Sequence, residues 1–179
     1  MIIGITGTNG AGKDTIADYL RDKGLTYFSL SDEVRAECDL RGLTKDRDTL
    51  QRVANEMRAN LGSDILAKMA LQKIHLGNIQ NALVVSIRNP QEVKTLKAAE
   101  NFLMLAVDAP AELRYERISL RGRTDDSVTF EKFKAQEEFE RHGSPTGQQL
   151  DAVIKMADSV LINDGPREEL YQKVEQILS

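Results

Sequence analysis

The sequence predicts an α/β fold, a three-layer α/β/α sandwich with a five-stranded and mostly parallel sheet. Short β-type runs alternate with longer helical segments along the chain, and each short run is apolar nearly throughout. Such runs are typical of parallel strands, which are buried on both faces. Parallel strands are joined by right-handed crossovers, so we expect helices on both sides of the sheet.

The predicted elements follow one another in a regular order. We predict strands at residues 2–6, 27–30, 83–87, 102–107 and 159–162. We predict helices at residues 13–23, 32–41, 46–60, 63–76, 90–99, 110–121, 129–141, 146–157 and 166–178. Pro90 favours the start of one helix, because proline suits the first helical turn. Ser31 or Asp32 is the predicted cap of the second helix, and Asp164 that of the last.

Length and composition indicate one globular domain. A chain of 179 residues forms a single domain with at most a small insertion. The net charge of −4 argues against a general nucleic-acid binder, and no apolar run is long enough to cross a membrane. The single Cys38 cannot form an internal disulfide and no signal peptide is visible, so we expect a cytoplasmic protein.

Residues 1–15, which read MIIGITGTNGAGKDT, carry the clearest motif. The spacing of Gly7, Gly12 and Lys13 after an apolar run is that of the phosphate-binding loop. In such loops, backbone N–H groups surround the phosphates of a nucleotide and the lysine reaches the terminal ones. The following helix directs its positive N-terminal end at the same charge. We therefore expect a nucleotide to be bound by Gly7, Thr8, Asn9, Gly10, Ala11, Gly12, Lys13, Asp14 and Thr15.

Asp14 departs from this motif. The residue after the lysine is normally Ser or Thr, whose hydroxyl binds Mg²⁺, whereas here Thr15 comes one position later. One interpretation is that Asp14 is an acid favoured at a helix N-terminus, which is worth up to about 1 kcal/mol. The other is that its carboxylate holds the metal, directly or through water, because an acid beside phosphates is repelled unless a cation lies between them.

Ligands of parallel α/β sheets bind beyond the carboxyl ends of the strands. We therefore expect the phosphate loop, residues 31–35, Arg88, Asp108 and residues 163–165 to meet at one edge of the sheet. Arg35 lies one turn inside the second helix, on a face that could look into the cleft. Asn163 and Gly165 are expected to contact the base or ribose, largely through the backbone.

Two arginines are candidates for a second anion site. Arg88 follows the third strand, and its planar guanidinium could bind phosphate oxygens bidentately; the alternative is a surface salt bridge to Glu92. Arg52 and Arg58 are expected mainly on the solvent face of their helix. Arg58 is kept as a possible ligand contact because Asn55 and Arg58 are helical neighbours.

A basic helix edge leads into a short polar loop at residues 122–128. The edge consists of Arg114, Arg117 and Arg121. Such stripes are usually only solvated, but here we predict a lid over residues 121–128. The lid arginines, Arg121 and Arg123, would stabilise charge on a transferring phosphoryl group.

The chain as a whole resembles the nucleoside monophosphate kinase branch of the P-loop kinases, which includes adenylate kinase and dephospho-CoA kinase. The likeness is carried by the segments GTNGAGKDT, SLSDEVR, NEMRANLG, SIRNPQEV, RGRTDD and ADSVLINDG. It is greatest to a small archaeal-type group labelled adenylate kinase-like or dephospho-CoA kinase-like. The resemblance implies a sheet of P-loop NTP hydrolase type, with a core at 1–30, 82–120 and 142–179, a helical acceptor-binding region at 31–77 and a short lid.

The resemblance also implies an activity, the transfer of the γ-phosphoryl group of Mg²⁺·ATP to a nucleoside monophosphate. Lys13 would hold the donor phosphates, and Arg121 and Arg123 would act from the lid. The implied acceptor-binding residues are Asp32, Arg35, Arg58 and Arg88. The partners would be small nucleotides, with no nucleic acid or membrane, and the protein would be a monomer or homodimer.

Other activities stay open at this point. Within enzymes they are dephospho-CoA kinase and deoxynucleoside monophosphate kinase, and outside them a non-kinase ATPase or nucleotide switch. One departure bears on the metal: these kinases usually have an Asp two to three residues before the strand-three arginine, where this chain has Val84, Val85 and Ser86. We therefore expect Asp14 to supply the carboxylate for Mg²⁺.

Overall fold

The computed structural model describes residues 1–121, 129–142 and 147–179. The strands are β1 (Ile2–Gly7), β2 (Thr26–Ser29), β3 (Ala82–Val85), β4 (Phe102–Asp108) and β5 (Ser159–Ile162). The described helices are α1 (Lys13–Asp22), α2 (Leu30–Leu40), α3 (Arg47–Leu61), α4 (Ile65–Leu76), α5 (Pro90–Lys97), α6 (Ala111–Arg121), α7 (Phe130–Arg141), α8 (Leu150–Lys155) and α9 (Arg167–Leu178).

The five strands form one sheet in the order β2-β3-β1-β4-β5, and every pair of neighbours is parallel. Gly4 of β1 pairs with Val84 of β3 on one side and with Met104 of β4 on the other. The predicted three-layer sandwich is therefore confirmed, with a sheet that is entirely parallel. Helices α2, α3 and α4 lie between β2 and β3, in the segment 31–77 that was predicted to bind the acceptor.

The alternation of side chains along the strands divides the core into two clusters, one on each face of the sheet. Ile3 and Ile5 of β1 pack with Ile16 and Leu20 of α1 on one face. On the other face, residues of β3 and β4 pack with α2, α3, α4, α5 and α8. Burial on both faces explains the apolar runs of the inner strands β1, β3 and β4. The expectation is wrong for the edge strands β2 and β5, where Tyr27 and Val160 are exposed because an edge strand is covered less completely.

Several local predictions are corrected. Strand β3 ends at Val85 rather than at residue 87, because Ser86 adopts a left-handed backbone conformation with φ of 63°. Helix α2 begins at Leu30 with Ser29 as its N-cap, so Ser31 and Asp32 lie in its first turn and do not cap it. Helix α9 is preceded by Pro166 at the N-cap, and Asp164 instead lies 3.7 Å from the ammonium of Lys173.

Arg58, expected mainly on a solvent face, and Arg114, from the basic edge that was predicted to lead into the lid, are both buried. Arg114 is only 3% exposed, and its guanidinium pairs with Glu137 at 2.7 Å. Arg58 is 4% exposed and pairs with Glu92, which is fully buried. Arg52 does lie at the surface, where it pairs with Glu56 at 2.8 Å. In both buried cases a long-range carboxylate partner compensates the loss of hydration.

The buried pair of Arg58 and Glu92 predicts a large stability difference between two similar substitutions on α3. Arg58→Met removes the charged partner of a fully buried carboxylate, so we expect the free energy of unfolding to fall by about 3–5 kcal/mol. Arg52→Met removes a solvent-exposed ion pair on the same helix and should cost no more than about 1 kcal/mol. Urea unfolding followed by circular dichroism compares the two, and equal losses would contradict this account of Arg58.

Candidate functional site

The loop between β1 and α1 is curled and lies at the carboxyl edge of the sheet. Gly7 and Gly12 both have positive φ, 139° and 105°. A Cβ added to Gly7 would lie 1.9 Å from the carbonyl oxygen of Val107, and one added to Gly12 would lie 2.3 Å from Nδ2 of Asn163. Glycine is therefore required at both positions for conformation and for space.

Two side chains from neighbouring strand ends fix this loop. The hydroxyl of Thr8 donates to Oδ1 of Asp108 at 2.7 Å, and Nδ2 of Asn163 donates to the carbonyl oxygen of Ala11 at 2.7 Å. Thr8 and Asn163 are both buried. Such bonds preorganise a loop for an anion, because little conformational entropy remains to be lost on binding.

Lys13 crosses the loop from the first turn of α1. Its Nζ donates to the carbonyl oxygen of Thr8 at 2.5 Å. Burial lowers the pKa of Lys13 to about 7, and the nearby cation of Arg88 acts in the same direction, while Asp14 and Glu140 partly oppose them. A bound polyphosphate would favour the protonated form, because an adjacent anion stabilises an ammonium.

A cleft of about 880 Å³ opens in front of this loop, and we call it the loop cavity. It is lined by loop and α1 residues, by the ends of β2 and β3, by α6, and by the segment after β5. Asp14 and Thr15 line it, and Asp14 lies on the exposed first turn of α1. No side-chain hydrogen bond caps the start of α1 among the residues that the structure describes.

A second cavity of about 250 Å³ lies between α2, α3, α4, α7 and the end of β3, and we call it the arginine cavity. Its apolar wall includes Leu30, Val34, Leu50 and Leu66. Its charged residues are Arg35, Arg47, Arg58, Arg88, Arg121 and Glu140. The two cavities meet, since both are lined by Asn9, Ser31, Arg35, Ser86, Arg88 and Arg121.

Glu92 organises one side of the arginine cavity. Its Oε1 accepts hydrogen bonds from Nε and Nη2 of Arg58, at 3.0 and 2.9 Å. Its Oε2 accepts the backbone N–H groups of Arg88 and Asn89, at 2.9 and 3.0 Å, as part of the capping box of α5. Nη1 of Arg58 is buried and has no hydrogen-bond partner among the described residues.

The side chain of Arg88 does not pair with Glu92, the alternative that the sequence left open. Its Nη1 donates instead to Oε1 of Gln148 at 3.0 Å and to Oε2 of Glu140 at 3.3 Å. Arg47 at the start of α3 pairs with the other oxygen of Glu140. Glu140 thus joins α7 to two arginines of the arginine cavity.

The other predicted site residues are distributed as follows. Asp32 and Arg35 pair with each other at 3.0 Å on the exposed side of α2, and both line the loop cavity. Gly165 lines it too, and Nη1 of Arg117 donates to the carbonyl oxygen of Asn163 at 3.1 Å. Arg121 lines both cavities, whereas Arg123 and the rest of the predicted lid, 122–128, lie outside the described residues.

Sequence reasoning missed Arg47, Glu140 and Gln148. Arg47 is the first residue of α3, whereas the candidate ligand contact on that helix was Arg58. Glu140 lies in a run rich in charged residues without a recognisable motif. Their partners are far away in sequence, so no local spacing could have identified them. Among the described residues, no three His, Cys, Asp or Glu side chains are grouped to hold a metal ion.

The fold and the loop together define the class of this protein. A family profile described as an AAA domain matches residues 3–142. The fold resembles a solved structure from Thermus thermophilus (TM-score 0.66, 24% identity, 99% of this chain and 96% of that one). It also resembles shikimate kinase from Acinetobacter baumannii (TM-score 0.58, 17% identity, 99% and 92% covered). The chain therefore belongs to this AAA-domain family, and its fold is one that P-loop kinases also have.

The sequence comparison then gives the family. A UPF0200 protein of Thermococcus gammatolerans is 36% identical, over 99% of this chain and 94% of that protein. The chain belongs to the UPF0200 family. No described helix is long and apolar enough to cross a membrane.

The lowered pKa of Lys13 predicts that ADP binding takes up protons. Since the pKa is about 7 without phosphates and rises beside them, roughly half a proton per ADP should be absorbed by Lys13 at pH 7. The affinity for ADP should therefore fall as the pH rises above 7, because Lys13 of the free protein is then increasingly neutral and must take up a proton when ADP binds. Titration calorimetry in buffers of different ionisation heat measures the uptake.

Lys13→Arg is the matched control for this measurement. A guanidinium stays protonated throughout the range, so the Lys13 contribution should disappear, while the proton exchange of ADP itself is the same in both proteins. Equal proton uptake by the wild type and Lys13→Arg would contradict the assignment.

Proposed function

We propose that this protein is an ATP-dependent phosphotransferase that moves the γ-phosphoryl group of Mg²⁺·ATP to a small nucleotide-like acceptor. The acceptor we favour is a nucleoside monophosphate. The observation that carries the proposal is that two cavities, one at the phosphate-binding loop and one lined by arginines, share a boundary. Transfer between two anions requires such an arrangement, because donor and acceptor must be held in line and close together.

The loop cavity suits the donor. Gly7 and Gly12 let the loop pass close to Val107 and Asn163, where any Cβ would clash, and hydrogen bonds to Asp108 and from Asn163 hold the loop in its curled shape. The N-terminus of α1 adds the positive end of a helix dipole. Lys13 would exchange its bond to the Thr8 carbonyl for the terminal phosphates of ATP, which are the stronger partner for an ammonium.

The arginine cavity suits the acceptor. Arg58 presents a buried Nη1 without a described partner, and Arg35 and Arg88 line the boundary with the loop cavity. A buried donor of this kind costs about 1–3 kcal/mol until it is hydrogen-bonded, which favours an anionic ligand. The apolar wall of Leu30, Val34, Leu50 and Leu66 provides a surface for the uncharged part of the acceptor.

The proposed reaction makes few chemical demands on the protein. A bond forms between an acceptor oxygen and the γ-phosphorus, while the bond from that phosphorus to the ADP oxygen breaks and leaves its electron pair on ADP. Arg88 and Arg121 at the shared boundary would stabilise the phosphoryl group in transit, and Arg123 stays a predicted lid residue. Closure would exclude water, which otherwise hydrolyses ATP.

Asp14 fits a role in holding Mg²⁺, because it is exposed on the first turn of α1 and lines the loop cavity with Thr15. When bound, Mg²⁺ would neutralise phosphate charge and orient the phosphate chain.

Dephospho-CoA kinase and deoxynucleoside monophosphate kinase activities need the same two cavities and are the alternatives within enzymes. A nucleotide switch needs no second anion site, so the arginine cavity favours a kinase over it.

A transfer assay tests the proposal. Labelled ATP is offered with each nucleoside monophosphate, each deoxynucleoside monophosphate and dephospho-CoA, and we expect label to move to one of these acceptors. Arg88→Met should lower acceptor turnover by about 100-fold or more while ATP binding persists. Arg52→Met, on the exposed face of α3, serves as control. Release of label only as free phosphate would indicate an ATPase and refute the kinase proposal.

The role of Asp14 predicts a change in metal dependence. Asp14→Asn and Asp14→Ser keep a polar group on the first turn of α1 but remove the carboxylate charge. We expect ATP turnover to fall by more than about threefold at limiting Mg²⁺ and to recover partly as Mg²⁺ is raised. A Mg²⁺ titration of turnover in the three proteins provides the test, and unchanged titration curves would exclude Asp14 as the anchor of the metal.

A further inference from the structure

The carboxylate of Glu140 occupies the arginine cavity from the side of α7. Glu140 is only 7% exposed. One of its oxygens pairs with Nη2 of Arg47, and the other lies 3.3 Å from Nη1 of Arg88. A carboxylate that bridges two guanidinium groups makes the type of contact that a phosphate would make with them.

These contacts join three parts of the chain. Arg47 begins α3 in the helical region between β2 and β3, Arg88 follows β3 in the core, and Glu140 lies near the end of α7. Helix α7 has further ion pairs of its own, since Glu137 pairs with Arg114 and Arg141 pairs with Asp151, both at 2.7 Å. The bridge from Glu140 is therefore not what holds α7 in place, and it can be broken without releasing the helix.

Glu140 stays charged in this setting. Burial alone would raise the pKa of Glu140, but the cations of Arg88 and Arg47 outweigh it and hold that pKa below its usual range. The carboxylate is thus an anion at neutral pH, beside the arginines assigned to the acceptor. An incoming phosphate and Glu140 would repel each other strongly in a partly buried cavity if both were bound to Arg88.

We propose that Glu140 is an internal substitute for the anionic group of the acceptor, which displaces it from Arg88 and Arg47 on binding. This inference rests on the proposed function, because that function assigns Arg88 to the acceptor; Arg47 lines the same cavity. Before the acceptor arrives, the carboxylate neutralises two cations that would otherwise repel each other and Lys13. When the acceptor binds, its phosphate takes over this role and the Glu140 side chain turns away.

Displacement makes Glu140 a determinant of specificity. A ligand must bind the two guanidinium groups better than a carboxylate that is already in place. A phosphate monoester, with two charges and three terminal oxygens, can do so, whereas a carboxylate ligand offers nothing that Glu140 does not already supply. We therefore infer that the acceptor carries a phosphate monoester rather than a carboxylate as its anchoring group.

The test measures inorganic phosphate binding to protein whose loop cavity is first saturated with a non-hydrolysable ATP analogue and Mg²⁺. Glu140→Gln and Glu140→Asp are compared with the wild type by calorimetry. Displacement predicts that both variants bind phosphate roughly tenfold more tightly, since neither bridges the two arginines as glutamate does. Glu138→Gln, which removes the same charge from an exposed position of α7, should bind phosphate as the wild type does.

Glu140→Asp is the decisive variant because it keeps the charge and shortens the side chain. If only the charge mattered, Glu140→Asp would match the wild type, and the displacement proposal would be overturned. A crystal structure with the analogue and phosphate gives the direct view, and displacement predicts phosphate oxygens on Arg88 with Glu140 turned away. Persistence of both Glu140 ion pairs beside bound phosphate would equally overturn it.

The same experiment separates this inference from the proposed function. If the ATP analogue does not bind, the assignment of the loop cavity to a nucleotide donor fails, and with it the premise of the inference. If the analogue binds and all four proteins have the same phosphate affinity, the proposed function stands and the displacement by the acceptor is refuted. Thermal unfolding of each variant establishes that the proteins compared are folded.

Discussion

Positive charge is crowded at the carboxyl edge of the sheet, and the arrangement of the acidic side chains around it follows from this crowding. Lys13, Arg35, Arg88 and Arg121 all line one cleft, and Arg58 lies just behind it. Such a concentration of cations is unfavourable in a protein without bound anions, because like charges repel strongly where water is scarce. The fold compensates Arg58 and Arg88 with Glu92 and Glu140, which are distant in sequence, and Arg35 with Asp32 of its own helix.

The carboxylates at this edge of the sheet differ in what else they bind. Glu92 and Asp108 each bind backbone N–H groups as well as side chains, so they determine the path of the chain: Glu92 begins α5, and Asp108 supports the phosphate loop through Thr8. Glu140 binds only side chains in the described structure, those of Arg47 and Arg88. A carboxylate that also binds backbone N–H groups keeps its place when a ligand binds. A carboxylate that binds only side chains can be replaced by an anionic ligand.

The sequence predicted the fold well because its signals are local. Apolar runs located all five strands, and the spacing of Gly7, Gly12 and Lys13 located the phosphate loop at their edge. The burial of Arg58 was not foreseen, since its partner Glu92 is 34 residues away, and the partners of Glu140 are 52 and 93 residues away. Periodicity indicates which face of a helix is apolar, but it does not indicate which distant carboxylate will pair with a buried cation.

The state of Lys13 has a consequence for the chemical reactivity of the chain. An amine with a pKa of about 7 is largely neutral in mildly alkaline solution, whereas ordinary lysines remain ammonium ions there. Only the neutral amine is a nucleophile, so a larger fraction of Lys13 than of an ordinary lysine is in the form that acylating reagents such as activated esters attack. Phosphates bound in the loop would protonate the amine and shield it, which makes covalent labelling of this one side chain a direct report on occupancy of the nucleotide cradle.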